Sequence, residues 1–208
     1  LKLANFHQRY GKWMEVEAAL QKLAALKPQD EKPHILLGDF FTSLGQRDKA
    51  LASYHRATEI NAGSTVARDK LITHYLDMGK TSEAEAKVKD ILGKNNKDLM
   101  GRFFDARMRL TKGNADEAIS LLQGVVKDEP QFAQAHHFLG VAFMQKAQTV
   151  QARGAFTEAV KLNPNLPEAR TALAQIHLAE CSDDLAIEQA QAAIQVNPRN
   201  VQAAIISG

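Results

Sequence analysis

Cysteine is nearly absent from this chain: Cys181 stands alone among 208 residues. A single thiol forms no intrachain disulfide and no cysteine-based metal centre, so neither holds the fold. Excess charge of one sign is lacking too, with 26 Lys and Arg against 24 Asp and Glu and a formal net charge of +2. So close a balance gives no electrostatic reason to expect nucleic acid or an anionic membrane surface. No apolar run approaches the roughly 18–20 residues needed to cross a bilayer, so no direct membrane insertion is expected. There is no G-x-S-x-G turn, no Walker-type glycine loop and no Cys–His pairing that would activate a nucleophile. The seven histidines include no pair at the i, i+4 spacing of a helical zinc site, and the adjacent His136 and His137 project to different faces. Catalytic residues, metals and cofactors are therefore not expected.

What the chain does have is a period. Pro130, Pro164 and Pro198 are 34 residues apart, and the same step joins Ala50, Ala84, Ala118, Ala152 and Ala186. It also joins Gly11, Gly45, Gly79 and Gly113, after which the position holds Ala147 and then Cys181. Three ladders in one register identify an internal repeat. Each unit reads as two amphipathic helices, for example "AQAHHFLGVAFMQKA" followed by "VQARGAFTEAVKLNP", the second stopped by Pro164. The glycine ladder supplies the turn between the paired helices, where a residue without Cβ takes φ > 0 at little cost. Asp30, Ser64, Asp98 and Asn200 share one position before the first helix, and all are N-cap types. The alanine ladder marks the closest approach of the paired helices, where a larger side chain would overpack at about 1–3 kcal/mol.

These features resemble the tetratricopeptide repeat family over nearly the whole chain. In residues 133–166 the family's Leu-Gly pair is Leu139-Gly140, its first-helix aromatic is Phe143, its Ala-x3-Phe is Ala152 with Phe156, and its closing proline is Pro164. Residues 31–64 match through Leu37-Gly38, Phe41, Gly45, Ala50, Tyr54 and Ala57, while the copies at 65–98 and 99–132 are degenerate. The resemblance implies an all-α right-handed superhelical solenoid as a single domain over 1–208. It comprises a partial repeat at 1–30, whole repeats at 31–64, 65–98, 99–132, 133–166 and 167–200, and the start of a further helix at 201–208. Both ends fall inside a helix of the pattern. The expectation is therefore a fragment with uncapped ends able to self-associate, its compartment undefined.

The resemblance also implies function. First helices of the family line a concave face that receives a peptide or protein partner. The register assigns Met100, Phe103, Arg107 and Leu110 to that face, with His137, Val141 and Met144 on the next first helix and Asp69 and Thr73 on the preceding one. An apolar floor with one guanidinium suits a segment carrying apolar anchors and an acidic or carbonyl group. Phe104 is expected to pack inside and Asp105 to pair with Arg109. Changing Phe103 to Ala together with Arg107 to Glu is expected to abolish partner capture without unfolding.

The family's Lys and Asn carboxylate-clamp pair and its repeated groove asparagine are both missing. Lys32 and Arg107 face Asp39, Asp69, Asp77 and Glu168 on the mapped face, which disfavours a phosphate backbone. The function expected is a non-enzymatic interaction scaffold, similar to large bacterial arrays in envelope or export assemblies. The alternatives are a regulatory or substrate-recruiting domain of a larger enzyme, or a self-assembling repeat protein.

Overall fold

The computed structural model describes the backbone of residues 2–208 and the side chains of residues 12–208. Among the described residues every regular element is a helix. After α1 (Lys2–Leu26) come five helix pairs, of which the first two are α2 (Lys32–Ser43) with α3 (Arg47–Ile60) and α4 (Thr65–Asp77) with α5 (Thr81–Lys94). The next are α6 (Leu99–Thr111) with α7 (Ala115–Asp128), α8 (Ala133–Gln145) with α9 (Thr149–Leu162) and α10 (Pro167–Ala179) with α11 (Asp183–Val196); α12 (Val201–Ser207) opens another pair. Thr65, Leu99, Ala133, Pro167 and Val201 begin successive first helices at the 34-residue step. Within each unit helices that follow one another pack together, as α2 with α3 and α4, and α6 with α7 and α8, and the chain is an all-α repeat solenoid. It divides into two compact units, residues 1–88 and 89–208, with the boundary inside α5, in a degenerate copy of the repeat.

The local rules that build each pair are visible in both units. The side chains of Ser64, Asp98 and Asn200 accept from the backbone N–H three residues on, at Ala67, Gly101 and Ala203. At the corresponding place Asp30 instead accepts from Lys32 N at 3.0 Å. The residue three on is Pro33, which has no N–H to give. Gly45, Gly79 and Gly113 all adopt positive φ, between 70° and 79°. Ala147 and Cys181 continue the ladder with φ of 57° and 56°, so the turn imposes its left-handed backbone even where a Cβ is present. Gly11 departs from expectation: α1 runs unbroken through it, so Lys2–Leu26 is one long helix where most of a helix pair was expected. A glycine within a helix costs only about 1 kcal/mol relative to Ala, so it permits a turn without requiring one.

Within each pair the helices meet at alanine. Ala50, Ala84, Ala118, Ala152 and Ala186 are all buried. Four positions along on the second helix, the size of the side chain is matched to the first helix opposite. A Cβ built on Gly38 would lie 2.3 Å from the Tyr54 ring, and one on Gly140 would lie 2.6 Å from the Phe156 ring. In the other copies these two places hold Ile72 and Val88, Ala106 and Leu122, and Ala174 and Ala190, all buried. Copies that lack the large aromatic therefore do not need the glycine.

Repeats are also clasped to their predecessors at the surface. Arg170 Nε donates to the Pro164 carbonyl at 2.8 Å, and His136 Nε2 lies 3.0 Å from the Pro130 carbonyl. In both, a basic side chain reaches back six residues to the proline of the inter-repeat loop. The loops share a second device: Asn61, Asn95, Asn163 and Asn197 each accept through Oδ1 from the backbone N–H two residues on, at 3.0–3.1 Å. These are Asx turns at the 34-residue step, interrupted at Glu129.

The turn strain and the helix crossing make separable predictions. Replacing Ala147 or Cys181 by Gly relieves the left-handed backbone and should raise the stability read from urea denaturation by roughly 0.5–1 kcal/mol each. Gly45→Ala has open space around the new Cβ and should lose about 1 kcal/mol from the backbone alone. Gly140→Ala forces the Phe156 ring aside and should lose about 3 kcal/mol, the upper end for overpacking.

Candidate functional site

In the unit of residues 89–208 the first helices α6, α8 and α10 stand side by side. Phe103 on α6 meets Phe138 on α8 with ring centroids 5.5 Å apart, and Gln145 Nε2 donates to the Leu110 carbonyl at 3.2 Å. Val141 and Phe143 on α8 pack against a core cluster that contains Leu173 and Ile176 of α10. α8 and α10 each turn one stripe towards water. On α10 it runs through Glu168, Ala172, Gln175 and Leu178-Ala179; on α8 it runs through Gln134, Phe138, Val141 and Met144-Gln145. Met144 and Leu178 occupy the same place in successive repeats and are 42% and 48% exposed. Large apolar side chains kept in water on aligned stripes are the feature of this unit that calls for a partner.

Beside them lies an aromatic cluster capped by a cation. Phe103 packs on Phe132, Phe138 and Phe104 with centroids 4.8, 5.5 and 5.5 Å apart. The Arg107 guanidinium stands over the Phe138 ring at 4.6 Å and reaches the Phe103 ring at 5.9 Å. Such stacking fixes a flexible side chain and leaves its charge near the surface. His137 is set between Phe138 and Phe156, at 5.0 and 5.6 Å, and its Nδ1 is buried without a hydrogen-bond partner. Burial, and then the Arg107 charge, pull its pKa down to about 4, so the ring is neutral near pH 7.

Two of the expected groove residues are interior. Phe103 is 3% exposed and Leu110 6%. Phe103 is enclosed because three other phenylalanine rings meet over it, and Leu110 because α8 packs across it with Gln145. Phe103→Ala would therefore open a core cavity at about 3–5 kcal/mol, contrary to the expectation that it leaves the fold intact. Met100, Arg107, His137 and Val141 are half-buried, and Met144 is exposed. Phe138 was not among the expected residues, yet it is the ring on which Arg107 stands. Phe104 is fully buried, and Arg109 Nε reaches Asp105 at 3.1 Å.

Asp69 and Thr73 belong to the other unit, half-buried on α4, where Asp69 accepts from Arg68 Nε at 2.9 Å. The corresponding face of that unit mixes polar groups with the exposed apolar side chains of Leu36 and Val66. Asp39 Oδ1 accepts from the Tyr54 hydroxyl and from Lys70 Nζ, each at 2.7 Å, which ties the two helices of one repeat to the first helix of the next. Burial raises the Tyr54 phenol pKa. Among the described residues no group of three or more His, Cys, Asp and Glu side chains gathers to hold a metal ion, and no helix is long and apolar enough to cross a membrane.

Comparison with known proteins agrees with the repeat fold. Tetratricopeptide repeat family models match residues 109–176 and 32–63. A tetratricopeptide repeat protein from Parabacteroides merdae superposes with a TM-score of 0.79 at 16% identity, covering 99% of this chain and 80% of that one. A thermophilic repeat protein of Thermus thermophilus gives 0.71 at 23% identity, covering 84% of this chain and 95% of that one. The human protein IFIT1 homolog B is 25% identical over 167 residues, 76% of this chain. The chain spans only 34% of the length of that relative.

The buried imidazole gives a signed dependence on pH. The unfolded chain takes up a proton at His137 near pH 6.5, while the folded one resists until about pH 4. Stability from the neutral ring is complete above pH 6.5 and is lost as the pH falls through 4. The loss is at most about 3 kcal/mol, at about 1.4 kcal/mol per pH unit. His137→Phe keeps a ring in the slot and cannot titrate. The stability difference between the wild type and this variant should be flat above pH 7 and widen in the variant's favour towards pH 4, in urea denaturation at each pH.

Proposed function

Because this chain belongs to the tetratricopeptide repeat proteins, we propose that it is a non-enzymatic interaction scaffold whose partner segment lies across α6, α8 and α10. The observation that carries this reading is the pair Met144 and Leu178, apolar side chains held in water at equivalent places on neighbouring first helices. Burying two such side chains contributes a few kcal/mol at about 25 cal/mol per Å². Methionine adapts its shape to varied apolar anchors. Arg107, steadied over Phe138, adds a positive charge at one edge and favours a segment with an acidic or carbonyl group there. The partner in this reading is a protein segment that combines apolar anchors with an acidic residue.

Selection of binders from an unbiased displayed peptide library, followed by calorimetric titration of the winners, tests this. Met144→Glu and Leu178→Glu should each weaken the selected peptides by more than about tenfold, or 1.4 kcal/mol. The helical circular dichroism should be unchanged, because both side chains are exposed. Val150→Glu, on α9 at 70% exposure, should bind as the wild type does. Selected peptides that ignore both groove changes and are lost with Val150→Glu would place binding on another face and overturn the reading.

A further inference from the structure

We propose that two copies of this chain pair by exchanging the start of α1. Residues 3–10 of each copy fill, on the other, the first-helix place that α1 leaves open by running straight. The pairing is separate from the groove and uses only residues of the unit 1–88.

The open place has two borders. One is α1 itself, where Val16, Leu20 and Leu23 stand one 34-residue step before Ala50, Tyr54 and Ala57. The three columns that begin there are buried in all five complete pairs, down to Ala186, Ala190 and Ala193. On α1, by contrast, Val16 is 43% exposed, and Leu20 and Leu23 are only half-buried. The other border is Leu36 on α2, 48% exposed. Its equivalents Lys70 and Phe138 reach back to the first helix of the repeat before, at Asp39 and Phe103. Ahead of Leu36 the chain supplies α1 alone in place of a helix pair.

Residues 3–10, "LANFHQRY", carry the pattern of a first helix. By register Leu3-Ala4 takes the place of Leu37-Gly38 and Leu139-Gly140, and Phe6 that of Phe40. The size rule of the complete pairs then assigns the contact. Gly38 and Gly140 face the rings of Tyr54 and Phe156, and the same columns hold Ala4 and Leu20 here. Ala106 with Leu122 is that very combination in a complete pair, and both are buried.

Two observations assign the arm to a second copy. α1 is one unbroken helix from Lys2 to Leu26, and at 1.5 Å per residue its residues 4 and 20 lie about 24 Å apart. They do not touch within one chain. The crossing residue on α1 is moreover Val16, where every complete pair has a buried alanine. A turn at Gly11 would hold the two halves of α1 at alanine distance and overpack the valine. Helices of two separate chains, joined by no turn, can part enough to take it. An arm this short also draws its helical stability from packing rather than from its own hydrogen bonds.

The exchange is reciprocal. Antiparallel pairing of Ala4 with Leu20 sets residue 12 opposite itself, which places a two-fold axis at Lys12, beside Gly11. One contact then serves both chains and closes the assembly at two. Glu15, one turn from Lys12 on the same face, sets a carboxylate beside the two ammonium groups at the axis. A dimer joined in this way carries the candidate groove twice, so a partner with repeated segments gains avidity from it.

Light scattering of the whole chain over a concentration series, with crosslinking, tests the exchange. The mass should rise from one chain to two and no further. Val16→Glu should weaken the dimer at least about tenfold with unchanged helical circular dichroism, because the side chain is exposed. Val66→Glu, exposed on α4, should dimerise as the wild type does. In a Cys181→Ser chain, Ala4→Cys with Leu20→Cys should be joined by a short bismaleimide into covalent dimers. Peptide mass mapping should find residue 4 of one chain linked to residue 20 of the other. Links within one chain would show α1 folded back on itself and overturn the exchange. A single-chain mass at every concentration, or dimers undiminished by Val16→Glu, would overturn it as well. The wild-type mass needs no variant, so a folding defect in a variant cannot decide the result.

Discussion

Everything in this molecule depends on how closely the two helices of a repeat approach. Five alanines in one register are buried at that crossing, and at each of them a larger residue would separate the helices. Once the distance is fixed, the side chains around it must share a fixed volume. A glycine faces a tyrosine or phenylalanine, whereas an alanine or isoleucine faces valine, leucine or alanine. The left-handed turn residue is set by the same geometry, since the chain must reverse in the few residues left between tightly packed helices. Glycine takes that backbone freely; Ala147 and Cys181 take it because packing outweighs a strain of about 1–2 kcal/mol.

The period, helix boundaries and capping residues were legible in the sequence because each is a local rule repeated at a fixed step. Ser64, Asp98 and Asn200 cap as their side-chain chemistry requires, and Asp30 deviates only because a proline stands where the donor should be. The Asx ladder of Asn61, Asn95, Asn163 and Asn197 was equally legible at the same step; the break at Glu129 hides it from a search for unbroken columns. Gly11 shows the reverse error, since a column can be continuous in sequence while its meaning lapses where the packing differs.

The groove was less legible because a register position gives the direction of a Cα–Cβ bond and not the depth at which the side chain ends. Phe103 on α6 and Met144 on α8 are both groove positions; one lies beneath three phenylalanine rings and the other is exposed. Depth is decided by neighbours from other helices, here Phe132 and Phe138, and a reading confined to one repeat does not sum their volumes. The same omission passed over Phe138, whose ring supports the guanidinium. The polar link from Tyr54 through Asp39 to Lys70 escaped for a related reason, since it joins three helices of two repeats.

Cys181 combines three properties that are seldom found together. It is the chain's only thiol, it is exposed, and it occupies the turn that closes α10, three residues beyond Leu178. A maleimide dye or nitroxide attached there would label a single, defined point at the margin of the α10 stripe, with no engineered cysteine and none to remove. The substitution that strains the turn is thereby a built-in attachment point, from which occupancy of the neighbouring stripe can be followed spectroscopically in the natural sequence.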